Sequence, residues 1–197
     1  MKDRQDYYYW KAKKEGYRSR AAYKLKQINA KFEIIKKGYH VLDLGASPGG
    51  WSQVAVELGA DVVAVDLNPM KPIEGVVFIK GDITKEETKE EIRKIRDKFD
   101  VVLCDASPKI TGKWDLDHFL SMELAKAAFD IAKEFLKPGG NFVVKLFQGA
   151  ELEEVVREFK KYFRFKKLHA PPASRKRSAE IYFIGKGFGG KFRPKRD

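Results

Sequence analysis

The chain is predicted to fold as an α/β protein on a doubly wound, mostly parallel sheet of seven strands with an antiparallel partner at one edge. Two observations favour this fold class. Short apolar segments alternate with amphipathic helical segments through five units, which is typical of parallel strands joined by helical crossovers. The last two strand-like segments follow each other without an intervening helix, and such a direct connection favours antiparallel pairing.

The predicted elements follow from apolar periodicity and from turn residues. We expect a basic amphipathic helix over residues 18–32, then a strand that ends near Leu44. The later helices are predicted at 48–58, 84–98, 117–136 and 151–162. The later strands are predicted at 61–66, 76–80, 99–104, 141–146, 163–168 and 179–185.

Length and charge indicate how the chain is organised. Its 197 residues suit a single domain, and the net charge of +12 is unevenly divided. Residues 1–37 form a basic extension of net +8, residues 38–159 carry net −7, and residues 160–197 carry net +11. We expect the catalytic core to span 38–186 and the glycine-rich basic tail, 187–197, to be mobile. Two basic flanks around an acidic core favour a polyanionic partner, RNA above all, over a merely solvated basic face.

Composition also argues against several classes of protein. The chain has no apolar run long enough to cross a membrane and no signal-peptide pattern at its start, so we expect a cytoplasmic monomer. The only cysteine, Cys104, lies in an apolar run and is interpreted as a buried structural thiol. The three histidines lack ligand spacing, so no metal site is predicted.

A glycine turn links the first predicted strand to the next helix, in the segment from Val41 to Trp51. Ser47 is predicted to cap that helix and Pro48 to occupy its first turn. Gly45, Gly49 and Gly50 leave room for a ligand beside the amide donors of the helix N-terminus. A turn of this kind could serve a dinucleotide, a nucleoside or the fold alone.

Polar residues follow each parallel strand, and the carboxyl ends of these strands share one edge where ligands bind. Asp66 ends the second strand, Asp82 follows the third, Asp105 follows the fourth, and Lys145 ends the fifth. The last strand runs in the opposite direction, so its first residue, Glu180, comes to the same edge. The sequence therefore predicts an acidic site with at least one lysine.

The spacing of the acids suggests an adenosine. Asp66, which lies 21 residues after Gly45, can accept the ribose hydroxyls, and Asp82 can accept from the adenine amino group. NAD is disfavoured because Gly-Ala-Ser-Pro-Gly-Gly is not Gly-x-Gly-x-x-Gly, and a P-loop is disfavoured because no Gly-Lys-Ser/Thr follows. S-adenosylmethionine fits better, since it lacks phosphates and carries a cationic sulfonium.

Several dispersed motifs together resemble the FtsJ/RrmJ-like RNA ribose 2′-O-methyltransferases. They are Ser19–Leu25, Val41–Gln53, Asp66–Met70, Gly81–Asp82, Asp105 with Pro108, Val143–Gly149, and Ser174–Arg175 with Ser178–Glu180. The resemblance covers residues 17–185 and implies a Rossmann-like S-adenosylmethionine-dependent methyltransferase fold. It also implies an RNA 2′-hydroxyl acceptor and a catalytic tetrad of Lys24, Asp105, Lys145 and Glu180. The cofactor contacts it suggests are Gly45, Gly49, Trp51, Asp66, Asp82 and Asp105.

Within this resemblance, Lys145 is interpreted as the group that takes or orients the hydroxyl proton. Lys24 and Glu180 would position the ribose and Lys145, and Asp105 would touch both cofactor and tetrad. Two further residues stay open: Asp43 is either structural or a cofactor contact, and Trp51 is either a packing residue or a cofactor contact.

The RNA substrate is the least determined expectation. The family methylates either a uridine in the A-loop of large-subunit ribosomal RNA or the anticodon loop of tRNA. Gln148–Gly149 favours the ribosomal group, whereas Asp115–Asp117 resembles the tRNA group. A silent RNA-binding relative and a dehydrogenase remain the alternatives. Tyr7–Trp10 and Tyr17 could stack on unpaired bases or cover the core.

Overall fold

A seven-stranded sheet organises the computed structural model, which describes residues 5–108, 111–175 and 178–189. Its helices are α1 Gln5–Glu15, α2 Ala21–Phe32, α3 Gly50–Glu57, α4 Glu86–Ile95, α5 Trp114–Phe135 and α6 Leu152–Lys160. Its strands are β1 His40–Leu44, β2 Asp61–Asp66, β3 Val76–Lys80, β4 Phe99–Cys104, β5 Leu136–Phe147, β6 Phe163–His169 and β7 Glu180–Phe188. No helix in the described ranges is long and apolar enough to span a membrane.

The predicted fold class is confirmed. The strand order is β3-β2-β1-β4-β5-β7-β6, in which the first five strands are parallel. β7 runs antiparallel to both β5 and β6, so the antiparallel pairing lies at the predicted edge of the sheet. β7 itself lies one place inside that edge, because β6 pairs with its outer side.

Helices cover both faces of the sheet. One apolar cluster packs α4, α5 and α6 against the first face, with Phe129, Phe142 and Phe159 at its centre. A second cluster packs α2 and α3 against the other face, where Leu25 and Ile28 are fully buried. Each large apolar side chain buried in this way contributes about 1.5–3 kcal/mol relative to exposure. The second face also carries the site described below.

Several elements differ from the prediction. α2 begins at Ala21 and not at residue 18. α1 was not predicted, because its adjacent aromatic residues obscure a helical period. α5 begins at Trp114 rather than 117, since the Asp117 carboxylate accepts hydrogen bonds from Thr111 and Gly112 of the preceding loop instead of starting the helix. β5 begins directly after α5, at Leu136.

The last strand extends into the first residues of the predicted basic tail, 187–197. β7 extends through Gly187 to Phe188, because Phe188 pairs with Phe163 across the sheet and its ring stacks on Tyr162 at 6.4 Å between centroids. The rest of the predicted tail, residues 190–197, lies outside the described residues. The buried-thiol prediction for Cys104 is confirmed, and burial raises the pKa of that thiol to about 12.

Candidate active site

The four predicted catalytic residues lie together at the carboxyl edge of the parallel strands. The Lys24 amine is 2.7 Å from Glu180 Oε2, and the Lys145 amine is 3.2 Å from Asp105 Oδ1 and 4.0 Å from Glu180 Oε1. Lys145 also donates a 2.7 Å hydrogen bond to the Asp105 carbonyl. The side chain of Lys145 is only 4% exposed, so its amine stands at a protected point between two carboxylates.

Strand alternation explains how these residues meet. Side chains two residues apart point to one face of a strand, and Lys145 lies two residues after Val143, which packs under α2 and α3. Asp43 and Asp105 stand in the same relation to Val41 and Leu103 of that face. Lys24 belongs to α2, which packs on the same face of the sheet, so its side chain extends from the helix to the cluster. The site is therefore fixed by the sheet register and by one helix.

Tyr182 completes the cluster and was missed in the sequence analysis. Its hydroxyl donates a 2.7 Å hydrogen bond to Asp105 Oδ1, and it is the register partner of Lys145. The Lys24 amine lies 5.7 Å from the centre of its ring. The signal was present, since Tyr182 follows Glu180 by two residues in a strand and so shares its face.

A cavity of about 670 Å³ opens beside the tetrad. Its volume lies within the usual range of small-molecule sites, about 300–1,000 Å³. Five carboxylates line it, those of Asp43, Asp66, Asp82, Asp105 and Glu123, together with Lys145. Apolar groups from the β1, β4 and α5 regions complete the wall: Ala46, Pro48, Trp51, Ala106, Leu120 and Leu124. The cavity wall thus combines carboxylates with apolar side chains. Asp105 and Lys145 belong both to this wall and to the cluster of the four predicted residues.

The two predicted adenosine-binding acids are held by their own loops. Asp66 accepts hydrogen bonds from the Ser47 amide, at 2.9 Å, and the Asn68 amide, at 2.7 Å. Asp82 Oδ1 accepts from the amide and hydroxyl of Thr84, at 2.9 and 2.8 Å. These bonds orient both carboxylates, and each carboxylate keeps acceptor capacity for a ligand at its Oδ2.

The glycine turn differs from its predicted form. α3 begins at Gly50, and Ser47 does not cap it, because the Ser47 hydroxyl donates to the Pro69 carbonyl at 3.3 Å. Gly45 lines the cavity, whereas Gly49 is absent from its wall. At Gly49, φ is +113°, a backbone conformation that residues with a side chain rarely adopt, so the turn itself favours glycine here. Its contact with a cofactor stays a prediction.

Trp51 serves the packing and also reaches the cavity wall. It is 2% exposed, its indole nitrogen donates a 2.8 Å bond to the Ala21 carbonyl, and its ring lies 5.7 Å from that of Tyr182. Both open interpretations of Trp51 are therefore compatible with its position.

Asp43 has an unusual environment, since it is 1% exposed and carries one unsatisfied oxygen. Oδ2 accepts a 2.7 Å bond from the Ser52 hydroxyl, but Oδ1 has no hydrogen-bond partner. Burial, together with the negative charges of Asp105 and Asp66, raises the pKa of Asp43 to about 7. An acceptor of this kind in a cavity wall suits a ligand that brings a hydrogen-bond donor.

Arg18 joins the two loops that form one side of the cavity, another contact missed in the sequence analysis. Its guanidinium donates to the Pro48 carbonyl at 3.2 Å, to Lys71 at 2.5 Å and to Pro72 at 2.7 Å. Its backbone amide donates to Gln53 Oε1 at 2.9 Å. The segment between α1 and α2 therefore holds the turn after β1 against the loop after β2.

The sheet order and an acidic cavity at the carboxyl ends of the strands place this protein among the Rossmann-like methyltransferases. Residues 17–188 match the family model described as FtsJ-like methyltransferase, and the chain belongs to that family. The predicted family resemblance is thereby confirmed.

Three relatives illustrate the similarity. A ribosomal RNA large subunit methyltransferase E of Archaeoglobus fulgidus is 70% identical over 95% of this chain and 98% of its own length. A protein of the same name from Methanocaldococcus jannaschii is 50% identical over 97% of this chain and 82% of its own. The crystal structure of a Plasmodium falciparum ribosomal RNA methyltransferase is similar with a TM-score of 0.80 and 30% identity, covering 89% of this chain and all of that one.

Proposed function

We propose that this protein transfers the methyl group of S-adenosylmethionine to a ribose 2′-hydroxyl of large-subunit ribosomal RNA, on a uridine of the A-loop, in the cytoplasm. The observation that carries the proposal is the buried Lys145 amine, held between Asp105 and Glu180 at the mouth of an acidic cavity. The names of the archaeal relatives support ribosomal RNA as the substrate.

The residues present fit the cofactor. The five carboxylates in the cavity wall suit a cationic sulfonium and repel phosphates, and the unpartnered Asp43 Oδ1 can accept a bond from the cofactor's ammonium group. Asp66 would hold the ribose hydroxyls and Asp82 the adenine amino group. Gly45, Gly49 and Trp51 would form the adjoining wall. The cofactor, when bound, supplies an electrophilic methyl group.

Lys145 would handle the proton of the acceptor hydroxyl. In-line displacement needs the acceptor oxygen behind the methyl carbon and a nearby group to receive or orient its proton. The amine is already fixed by the Asp105 carbonyl and lies near two carboxylates, so it is held in place before RNA binds. Lys24, paired with Glu180, would contact the nucleotide from the α2 side and keep Glu180 oriented.

The tRNA alternative is weakened by the position of Asp117. This residue belongs to the segment that resembled the tRNA group, but its carboxylate accepts three hydrogen bonds from Thr111 and Gly112 and therefore serves the local loop. A structural role explains the motif without reference to a substrate.

Mapping of 2′-O-methyl groups tests the proposal directly. Purified protein, labelled S-adenosylmethionine, and unmodified large-subunit RNA or tRNA are incubated, and the modified nucleotide is located in each RNA. We expect label on the ribose of one A-loop uridine. Label in the anticodon loop of tRNA would establish the tRNA alternative, and absence of transfer to either RNA with normal cofactor binding would identify a silent relative.

Replacing Lys145 tests its catalytic role. We expect Lys145→Ala to abolish methyl transfer while the dissociation constant for S-adenosylmethionine, measured by calorimetry, changes less than about threefold, or about 0.7 kcal/mol. Lys145→Met fills the same space and should give the same result, which separates chemistry from packing. Lys80→Met, at the end of β3, is the control and should keep full turnover. Unchanged turnover in both Lys145 variants would refute the assignment.

A further inference from the structure

The helix α1 is firmly attached beside the catalytic cluster. Its inner face carries Ala12, which is 3% exposed, and Tyr8, whose hydroxyl accepts a 3.0 Å bond from Gln27 on α2. Tyr23 of α2 donates a 2.6 Å bond to Glu15 at the end of α1. Tyr23 directly precedes Lys24 of the tetrad, so α1 lies next to the site on a fixed support.

The outer face of α1 has a regular chemical pattern. At about 100° per residue, the three rings and three lysines on the outer side of residues 7–14 alternate around the helix. In angular order they are Tyr9, Lys13, Trp10, Lys14, Tyr7 and Lys11. We call these six residues the aromatic–lysine face.

The rings of this face are accessible and have cations beside them. Tyr7 and Trp10 are each 58% exposed and Tyr9 is 52% exposed. The Lys11 amine lies 5.8 Å from the centre of the Tyr7 ring, and the Lys13 amine lies 5.5 Å from that of Trp10. Aromatic rings bind unpaired bases by stacking, and an ammonium group next to a stacked base meets the phosphate that follows it.

The surroundings of α1 match the charge of a nucleic acid. The loop that precedes β7 packs against the α1–α2 pair, because the Ala173 amide donates to Gln27 Oε1 at 2.7 Å and Arg20 donates to the Ala173 carbonyl at 2.9 Å. Described parts of the two basic flanks therefore meet here, the α1–α2 pair from the first and the loop of Ala173 from the second. A polyanion has its strongest attraction at this junction.

We propose that the aromatic–lysine face of α1 binds an unpaired stretch of the substrate RNA adjacent to the nucleotide that is methylated. The bases stack on Tyr7, Tyr9 and Trp10, and Lys11, Lys13 and Lys14 contact the phosphates. This inference rests on the proposed function, since it takes the substrate to be RNA. It adds that the enzyme selects single-stranded over paired RNA near its target, because a paired base has no free face to stack on a ring.

Two triple variants separate stacking from general hydrophobic contact. Tyr7→Leu, Tyr9→Leu and Trp10→Leu together remove the π faces while keeping good helix formers. The same positions changed to Phe keep an aromatic face at each site. Phe165→Leu, an exposed ring on β6, is the control. Each full-length protein is titrated with a fluorescent single-stranded RNA of about 15 nucleotides and with the matching duplex, at one salt concentration.

We expect the triple Leu variant to lose at least about tenfold in affinity for the single strand and to bind the duplex as the wild type does. The triple Phe variant and Phe165→Leu should stay within about threefold of the wild type for both RNAs. In methyl transfer, the triple Leu variant should raise KM for RNA and leave kcat and the cofactor dissociation constant unchanged. Thermal melting confirms that all variants are folded.

Other outcomes would overturn the inference. If the triple Leu variant lost equal affinity for the single strand and the duplex, α1 would bind RNA without preference for unpaired bases. If the triple Leu variant bound RNA as the wild type does, the rings of α1 would not contact the RNA. Equal loss in the Leu and Phe variants would exclude stacking. Failure of the proposed function is seen separately, as wild-type protein that methylates no RNA, whatever the binding pattern of the variants.

Discussion

Tyr182 connects Trp51, in the cavity wall, to the cluster of Lys24, Asp105, Lys145 and Glu180. Its hydroxyl donates to Asp105, which in turn accepts from Lys145, while its ring lies between Trp51 and the Lys24 amine. Burial first, and then the charges of Asp105 and Glu180, raise the pKa of this phenol well above its ordinary value, so it stays a hydrogen-bond donor at any working pH. The residue is therefore suited to fixing the orientation of the Asp105 carboxylate.

Tyr182→Phe removes that one hydrogen bond and keeps the ring. We expect kcat to fall about tenfold, since a lost hydrogen bond to a charged acceptor is worth roughly 1.5–3 kcal/mol. The melting temperature should change little, because the packing of the ring is retained. Tyr162→Phe, at the far end of the sheet, is the matched control. A Tyr182→Phe enzyme with wild-type kcat would show that Asp105 needs no such support.

Asp43 gives the site a pH-dependent contribution to stability. The pKa of about 7 in the folded protein exceeds the ordinary value of 3.8, so the folded state binds this proton more tightly than the unfolded state does. The stabilisation is complete below about pH 4 and is lost as the pH rises through 7. Asp43→Asn cannot ionise, but it can still accept the Ser52 hydrogen bond.

We therefore compare the free energy of unfolding of wild type and Asp43→Asn by urea titration at about pH 5 and about pH 8. The wild type should lose about 2 to 3 kcal/mol more than the variant over this range, because the other titrating groups are common to both proteins. Asp61→Asn, at the exposed start of β2, should behave like the wild type. Parallel pH profiles for wild type and Asp43→Asn would show that Asp43 stays ionised when buried.

At the scale of single residues, the sequence predicted the tetrad but not its support. Lys24, Asp105, Lys145 and Glu180 follow from strand ends and from the family pattern, and the structure brings them within hydrogen-bonding or ion-pair distance. Tyr182 was missed because an aromatic residue in a strand is more often core, and only the register with Lys145 reveals its second role.

At the scale of elements, periodicity located the buried strands and helices well, because burial on one face imposes an apolar pattern. It did not locate α1, whose inner face has few buried side chains, nor the true start of α3, because the Ser47 hydroxyl bonds another loop instead of the helix. Arg18 could not be interpreted from sequence at all, since its three carbonyl partners belong to loops that approach only in the folded chain.

Arg18→Lys tests whether this clamp shapes the cofactor cavity. A lysine keeps the charge but cannot reach both loops as a planar guanidinium does. We expect the dissociation constant for S-adenosylmethionine to rise about fivefold to tenfold, in line with the loss of one or two net hydrogen bonds, while kcat at saturating cofactor stays near wild type. Lys26→Ala, which loses a surface ion pair with Glu57, should leave cofactor affinity unchanged. Unaltered affinity in Arg18→Lys would mean that the loops hold their positions without the clamp.

At the scale of the whole molecule, the acidic residues and the basic residues lie in different segments, and we propose that these segments bind different ligands. The segment 38–159, of net −7, holds the four cavity loops that follow β1 to β4, whereas the α1–α2 pair of one basic flank contacts the loop before β7 of the other. The charge blocks were evident from the sequence. The place where the two basic flanks meet was not evident from the sequence. It depends on the contacts that Arg20 and Gln27 make with Ala173, which is far from both in the chain.

This separation predicts that the two ligands respond differently to salt. RNA held by the basic flanks releases counterions on binding, so the affinity for a single strand should fall by roughly 10²- to 10³-fold between 50 and 200 mM KCl if some six phosphates are contacted. S-adenosylmethionine, the proposed cofactor, releases few counterions because it is a small ligand, so its dissociation constant should change less than about twofold over the same range. Both dissociation constants are measured on one preparation, by anisotropy for RNA and calorimetry for the cofactor.

The lysines of α1 should account for part of the salt dependence of RNA binding. Replacing Lys11, Lys13 and Lys14 with Gln should lower the slope of log affinity for RNA against log salt concentration by about three, and should leave the dissociation constant of the cofactor unchanged. A cofactor affinity that falls in parallel with that of RNA would show that the basic flanks, and not the carboxylates of the cavity, govern both binding events.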